Sequence, residues 1–132
     1  MRYAFVMADE PYFSKEKEVY AVYCQNIANA LKRFNTVYAD STCLTVKSRA
    51  LLIKKIKELY KEDFEVNAIY MNTPLSICLS RNSKRIGRAR VPEVSIKEMW
   101  LRLEAPTKKE GFNKIFIVEP AGEKGWVTHY GD

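Results

Sequence analysis

Residues 64–92 read FEVNAIYMNTPLSICLSRNSKRIGRARVP, and this stretch decides the fold. Its first part, residues 64–71, is rich in apolar and aromatic side chains, which predicts a strand. A helix start follows, with Thr73 as the predicted cap and Pro74 at the first helical position, and the helix is expected to run to about Arg85. A strand that leads directly into a helix indicates an α/β fold.

The flanking sequence repeats this alternation of strands and helices. It predicts strands at residues 3–7, 36–39 and 114–118, and helices at about residues 14–34, 50–60 and 93–103. The first helix has an apolar stripe that is expected to be buried, formed by Tyr20, Tyr23, Cys24, Ile27, Leu31 and Phe34. We therefore predict one domain at residues 3–118, built on a parallel sheet with helices packed against it. Residues 119–132 are predicted to form a loosely structured tail with one short strand near Val127.

The composition is that of a globular domain with anionic partners. The 132 residues are 47% hydrophobic and 29% charged, which excludes a disordered chain. Because no run of about 18 apolar residues occurs and Asp9 and Glu10 interrupt the apolar amino terminus, we expect a cytoplasmic protein with no membrane partner. Three separated cysteines and the single histidine, His129, speak against a zinc site or a disulfide framework. The net charge of +6 favours nucleotides or nucleic acid as partners.

The positive charge is concentrated between Arg81 and Arg90, a stretch that we call the cationic segment. It contains no acid and five cations, Arg81, Lys84, Arg85, Arg88 and Arg90. Arg81 and Arg85 are four residues apart, so on a helix they project from one face and can grip one polyphosphate. Arg88 and Arg90 follow on a predicted loop that can close over a transferring phosphoryl group. The alternative is a basic helix terminus that interacts with the helix dipole and is otherwise solvated.

Two aspartates, Asp9 and Asp40, come directly after predicted strands. In open α/β sheets, ligands bind outside the carboxyl ends of the strands. An aspartate at that place is ionised at neutral pH, and it can accept a proton from a substrate hydroxyl or orient a magnesium ion through water. The alternative is a turn or cap in which the carboxylate accepts hydrogen bonds from nearby backbone amides.

Several segments together resemble one family. Residues 40–44, DSTCL, with Arg49 downstream, resemble the D-x-T-N-L motif and its arginine in polynucleotide-kinase-like P-loop ATPases. Residues 73–85 resemble the helix of that family that runs into its lid. Residues 106–118 resemble its last loop and strand, so the resemblance covers about residues 3–118.

The resemblance implies a three-layer P-loop sheet with helices on both faces, which binds ATP and Mg²⁺. Asp9 matches the base beside the acceptor hydroxyl. Asp40 matches an acid that meets Mg²⁺ indirectly, through water, and Thr42 of the same motif is predicted to bind the nucleotide phosphates. Arg85 matches the lid arginine that stabilises the phosphoryl group during transfer, and Arg81 supports it.

The chain departs from the family pattern at the phosphate loop. No G-x-x-x-x-G-K-[ST] sequence is present, and all five glycines lie at or after Gly87. The family places this loop between a first strand and a first helix, so the chain is expected to begin about one strand–helix unit late. Because that strand is central in the family's sheet order 2-3-1-4-5, we expect instability, self-association or a separate chain that completes the sheet. Cys43 replaces the family's usual asparagine, and Tyr12 stands where relatives often have an arginine for the acceptor's phosphate.

Two functions follow from these observations. The leading one is a kinase that, in its intact form, transfers the γ-phosphate of ATP to a hydroxyl of a polynucleotide, a nucleoside or a sugar nucleotide. The alternative is a non-catalytic remnant, or a module completed by a partner chain, that binds nucleotide or nucleic acid through the basic lid. Binding of the second kind is expected to weaken steeply with salt and to need no magnesium.

Overall fold

The computed structural model describes residue 11 and residues 13–131, and these residues form an α/β protein. They fall into two compact units, one containing residues 13–42 and 50–63, the other residues 43–49 and 64–131. Within this described part, no helix combines the length and the apolar character that spanning a membrane requires.

The first unit is helical. It contains α1, Glu16–Leu31, and most of α2, Val46–Leu59. Both helices were predicted from their apolar spacing, and both are confirmed, with ends that differ by a few residues. The buried residues of α1 are Val19, Cys24 and Ala28.

The predicted apolar stripe of α1 is only partly buried. Cys24 is fully buried, whereas Tyr20 is 44% exposed and Phe34, beyond the helix end, is 62% exposed. Tyr20 lies one turn before Cys24, close to the start of α1, and Phe34 lies outside the helix, so neither is covered as the stripe predicts. The prediction was therefore wrong for Tyr20 and Phe34.

The predicted strand at residues 36–39 does not form. Residues 36–40 belong to no helix or strand, and Tyr38 is 81% exposed. A β-rich composition makes a strand only where a second strand supplies ladder hydrogen bonds. Asp40 therefore does not follow the end of a strand in the structure, as had been predicted.

The second unit contains a three-stranded sheet of order β1-β2-β3, with β1 at Asn67–Met71, β2 at Lys114–Pro120 and β3 at Trp126–Tyr130. β1 and β2 are parallel, with Asn67 opposite Lys114 and Met71 opposite Val118. β3 is antiparallel to β2, so the sheet is mixed, and the expected all-parallel arrangement is wrong for β3. The short connection at residues 121–125 explains the difference, since parallel neighbours need a much longer crossover.

Strand β3 confirms the short strand predicted near Val127. Residues 126–130 of the predicted tail are accordingly paired with β2, and β2 itself extends to Pro120. The division into a domain at residues 3–118 and a tail stays a prediction, as do self-association and completion of the sheet by another chain.

The crossover from β1 to β2 contains α3, Leu75–Ser83, and α4, Glu93–Arg102, which pack against each other. Pro74, not Thr73, is the N-cap residue of α3, and its carbonyl accepts hydrogen bonds from the amides of Ile77 and Cys78. Helix α3 also ends at Ser83, two residues before the predicted end at Arg85. The buried apolar residues of this unit are Ala68, Phe112 and Ile115.

Candidate phosphate-binding site

A buried asparagine fixes both ends of the cationic segment. Asn82 is 3% exposed, and its Nδ2 donates a hydrogen bond of 2.7 Å to the carbonyl of Val91. The amide of Val91 donates in return to Asn82 Oδ1 over 2.9 Å. A side-chain amide offers both a donor and an acceptor, and here the two pair with the C=O and the N–H of a single residue. The residues between Asn82 and Val91 therefore form a closed loop.

Backbone geometry shapes the interior of this loop. Gly87 has φ 59°, in the left-handed region that favours glycine. It starts a single 3₁₀ turn, Gly87–Ala89, in which the amide of Arg90 donates to the carbonyl of Gly87 over 3.1 Å. The side chains of Arg85, Arg88 and Arg90 are exposed around this turn. The loop thus presents its charges outward while its base is held by Asn82.

A shallow, open depression of about 360 Å³ lies beside the loop, lined by Gly87, Arg90, Val91, Pro92 and Glu93. Small-molecule sites in proteins occupy roughly 300–1,000 Å³. The volume of the depression falls in this range, but the depression is open to solvent and Glu93 borders it together with Arg90, so it does not by itself define a phosphate site.

Arg81 lies at the carboxyl edge of the sheet. It belongs to the last turn of α3, and its guanidinium carbon is 4.9 Å from the centre of the Trp126 ring. Trp126 is paired with Pro120, the last residue of β2, and the parallel strands β1 and β2 end at the same edge. This contact is a cation–π interaction. It brings the start of the cationic segment to the edge where α/β sheets bind ligands.

Three of the four predicted arginines, Arg85, Arg88 and Arg90, lie on the closed loop, and Arg81 lies just before it in the last turn of α3. Arg85 lies beyond the end of α3, so it does not share a helix face with Arg81, and that prediction was wrong. The helix ends early because Lys84 is its C-cap and the loop closed by Asn82 begins there. Arg85 instead lies within the closed loop, with Arg88 and Arg90.

The predicted aspartates and Thr42 lie outside the compact unit that contains this loop, or outside the described residues. Asp40 and Thr42 are exposed and belong to the first compact unit, whereas the cationic segment belongs to the second. Asp9 lies outside the described residues. Their roles stay predictions.

No group of three or more histidine, cysteine or carboxylate side chains that could hold a metal ion occurs within residues 11 and 13–131. Asp40 offers a single exposed carboxylate. Protein-bound Mg²⁺ commonly takes one or two carboxylates, with waters and substrate phosphates as the other ligands. Asp40 fits an indirect role of this kind, in which the nucleotide phosphates supply most of the ligands.

Arg49, the arginine downstream of the DSTCL segment, forms a buried clamp. Its Nε donates to Glu110 Oε2 over 2.7 Å and its Nη2 donates to Glu110 Oε1 over 2.9 Å. Its Nη1 donates to the carbonyls of Cys43 and Glu104 over 3.0 and 2.8 Å. Arg49 is therefore engaged by protein acceptors, and its position indicates that it holds residues 43–49 to residues 104–110.

The clamp changes the pKa of Glu110. The hydrogen bond from Arg49 holds the pKa of Glu110 below its ordinary value, against the opposing effect of burial. A backbone hydrogen bond from the amide of Thr107 to Glu110 Oε1, 2.9 Å long, acts in the same direction as Arg49. Glu110 is thus ionised at neutral pH and paired.

Sequence reasoning missed Asn82 and Trp126 as parts of the site. Asn82 is a polar residue within a basic stretch, and its local signal was the odd placement of an asparagine inside a helical pattern. Trp126 lies 45 residues from Arg81 in the chain, in the predicted tail, and no local pattern connects the two. Two residues so far apart in the sequence come into contact only because the sheet brings them together.

The fold and the loop define an α/β protein with a preformed cationic loop at the carboxyl edge of a mixed sheet. No protein-family model matches the chain, and no curated protein or solved structure matches it significantly. The kinase-type assignment therefore rests on the sequence motifs alone.

Proposed function

We propose that the chain binds the phosphate groups of a nucleotide or a nucleic acid through the cationic segment, as part of a kinase-type P-loop protein. The observation that carries this proposal is the pairing of Asn82 with Val91, which closes the loop that displays the arginines. A closed loop loses less conformational entropy on binding than a free basic terminus does. A merely solvated helix end has no need of a buried asparagine.

The order of elements around the loop supports the kinase-type assignment. Strand β1, helix α3, the cationic segment, helix α4 and strand β2 follow one another, and β1 and β2 are parallel neighbours. The same order of strand, helix, lid, helix and strand characterises the family that the sequence resembles. In the proposed assignment, the described sheet is part of a three-layer P-loop sheet that binds ATP and Mg²⁺.

The residue roles follow from this assignment. Arg85 stabilises the phosphoryl group in transfer, with Arg81 beside it, and Arg88 and Arg90 bind further phosphates. Asp9 is the base for the acceptor hydroxyl. In the D-x-T-N-L-like segment, Asp40 contacts Mg²⁺ through water and Thr42 binds the nucleotide phosphates. The acceptor is a polynucleotide end, a nucleoside or a sugar nucleotide.

A second candidate is a binding module without catalysis. The contact of Arg81 with the 45% exposed Trp126 favours it, because basic grooves with exposed aromatic rings are typical of single-stranded nucleic-acid sites. Such a module binds polyanions generally, whereas a kinase-type site prefers the complex of ATP with Mg²⁺.

The test measures binding of a fluorescein-labelled ten-nucleotide single strand and of ATP at low salt, with and without Mg²⁺. Arg85→Ala is expected to weaken binding about tenfold, as loss of one charge-assisted hydrogen bond predicts. Arg33→Ala removes an exposed arginine of the first unit and is expected to leave binding unchanged. Equal effects of the two substitutions, or no binding to either probe, would contradict the proposal.

The same measurements separate the two candidates. A preference for ATP over tripolyphosphate that requires Mg²⁺ favours the kinase-type site. Equal binding of the two ligands without Mg²⁺, falling steeply with salt, favours the binding module.

A further inference from the structure

We propose that Trp126 is a positioning residue for phosphate recognition, because its ring holds the guanidinium of Arg81 in place while leaving the N–H groups of Arg81 available to a ligand. This inference rests on the proposed phosphate binding. It assigns to the β2–β3 hairpin a part in the site.

The ring of Trp126 is supported by a well-defined hairpin. Trp126 starts β3 opposite Pro120, and the far end of the strand is held where the rings of Phe116 and Tyr130 are 5.2 Å apart. In the connection, the amide of Ala121 donates to the carbonyl of Gly125 over 2.9 Å. The backbone is thus hydrogen-bonded both before and after Trp126 in the chain.

Arg81 is equally well placed on its own element. It precedes Asn82, the buried residue that closes the loop, and it belongs to the last turn of α3. Both partners of the cation–π contact therefore extend from hydrogen-bonded backbone. The guanidinium carbon of Arg81 lies 4.9 Å from the ring centre, close enough for the ring to favour this position of the charge.

The type of contact matters for the ligand. A guanidinium group has five N–H donors, and a cation–π contact does not pair them with an acceptor oxygen. An ion pair with a carboxylate would instead use the donors that a phosphate needs. Trp126 thus orders Arg81 before binding, which lowers the entropy that Arg81 loses when it takes up a phosphate.

The experiment is a double-mutant cycle on Arg81 and Trp126, with tripolyphosphate as the probe and calorimetry at low salt as the measurement. Tripolyphosphate has no base, so stacking of a base on Trp126 cannot contribute to the result. Trp126→Leu keeps an apolar side chain, and it is expected to weaken binding about two- to fivefold, the worth of an exposed cation–π contact. Trp126→Phe is expected to retain most of the affinity, since it restores an aromatic face.

The double-mutant cycle distinguishes positioning of Arg81 by Trp126 from a packing contribution of Trp126 that does not depend on Arg81. In an Arg81→Ala background, Trp126→Leu is expected to have no further effect on affinity. Trp100→Phe, at the other tryptophan, serves as the control and is expected to bind like the unaltered chain. An undiminished effect of Trp126→Leu in the Arg81→Ala background would overturn the inference, as would equal binding by Trp126→Leu and the unaltered chain.

The outcomes also distinguish this inference from the proposed function. If Arg85→Ala weakens tripolyphosphate binding but Trp126→Leu does not, the inference fails and the proposed function stands. If the unaltered chain does not bind tripolyphosphate, both fail. Thermal unfolding of each variant shows whether the fold is retained, and Trp126→Val, whose β-branched side chain suits a strand, takes the place of Trp126→Leu should that variant unfold.

Discussion

Cys43 is held in a backbone conformation that suits asparagine better than cysteine. Its φ of 39° lies in the left-handed region, which costs most residues with a side chain about 1–2 kcal/mol. Asparagine, the residue of the resembled motif at this position, tolerates that region better. The carbonyl of Cys43 also accepts a hydrogen bond from Arg49, so the buried clamp holds the conformation in place.

We therefore predict that Cys43→Asn raises the free energy of unfolding by about 0.5–1 kcal/mol. Urea-induced unfolding measures the change. Cys78→Asn is the matched control and is expected to give no gain, because Cys78 lies within α3, where the helical backbone favours asparagine no more than cysteine. A loss of stability in Cys43→Asn would mean that its thiol contributes more than the backbone conformation costs.

The ion pair between Arg49 and Glu110 is expected to contribute much more than an exposed pair. Both side chains are almost fully buried, and removing one partner of such a pair typically costs about 3–5 kcal/mol. Glu110→Gln should therefore lower the free energy of unfolding by about 3 kcal/mol. Glu58→Gln breaks the exposed pair of Lys55 with Glu58, 3.5 Å long, and should cost less than about 0.5 kcal/mol. Similar losses for the two variants in urea unfolding would contradict this difference.

The same ion pair predicts a pH dependence. Because the pKa of Glu110 is lowered by folding, its contribution to stability is fully present above its ordinary value of 4.5 and is lost as the pH falls through the folded-state pKa. The free energy of unfolding should thus decrease as the pH falls below 4.5. Urea titrations between neutral pH and about pH 3 should show a smaller decrease in Glu110→Gln. An unchanged pH profile in that variant would assign the acid sensitivity to other carboxylates.

At the scale of elements, the loop that follows α3 depends on one side chain. Asn82→Ala leaves the peptide groups of Val91 without their partners, which should cost about 2 kcal/mol of stability. The freed loop contains Arg85 and Arg88, so trypsin should cleave there faster in the variant. Asn29→Ala removes an exposed asparagine of α1 and is expected to change neither measurement. An unchanged rate of cleavage in Asn82→Ala would show that the loop is held by other contacts.

The elements that sequence predicted well are those with a strong local pattern. Helix α4 and strand β2 have nearly the predicted bounds because their apolar spacing and flanking prolines are visible within a few residues. The strand at residues 36–39 was wrong because pairing depends on a distant partner. The antiparallel direction of β3 was missed for the same reason.

In the candidate site, too, the local features were predictable from the sequence and the long-range contacts were not. The charges of the cationic segment were visible in the sequence, since five cations in ten residues is a local property. The closure of the loop was not visible, because Asn82 pairs with the backbone of Val91 and any residue type at position 91 except proline offers that pairing. The contact of Arg81 with Trp126 required the sheet register that places Trp126 beside the end of β2.

At the scale of the whole molecule, the net charge has an uneven distribution. The cationic segment carries five positive charges and no negative one, while the complete chain has a net charge of +6. The remainder of the chain is thus almost neutral, and long-range attraction of an anion is directed to one loop. Because the side chains of Arg85, Arg88 and Arg90 are exposed, dissolved salt screens their charges efficiently.

We therefore predict a salt dependence of single-strand binding that originates in this loop. Each phosphate of a single strand that a cation neutralises contributes a slope of about −0.7 to a plot of log affinity against log salt concentration, so five cations give at most about −3.5. Arg85→Ala should reduce the magnitude of the slope by about 0.7, whereas Arg33→Ala should leave the slope unchanged. Fluorescence anisotropy between about 50 and 200 mM salt measures both slopes. If both substitutions reduced the slope equally, binding would reflect the overall charge of the chain and the cationic segment would have no special part in it.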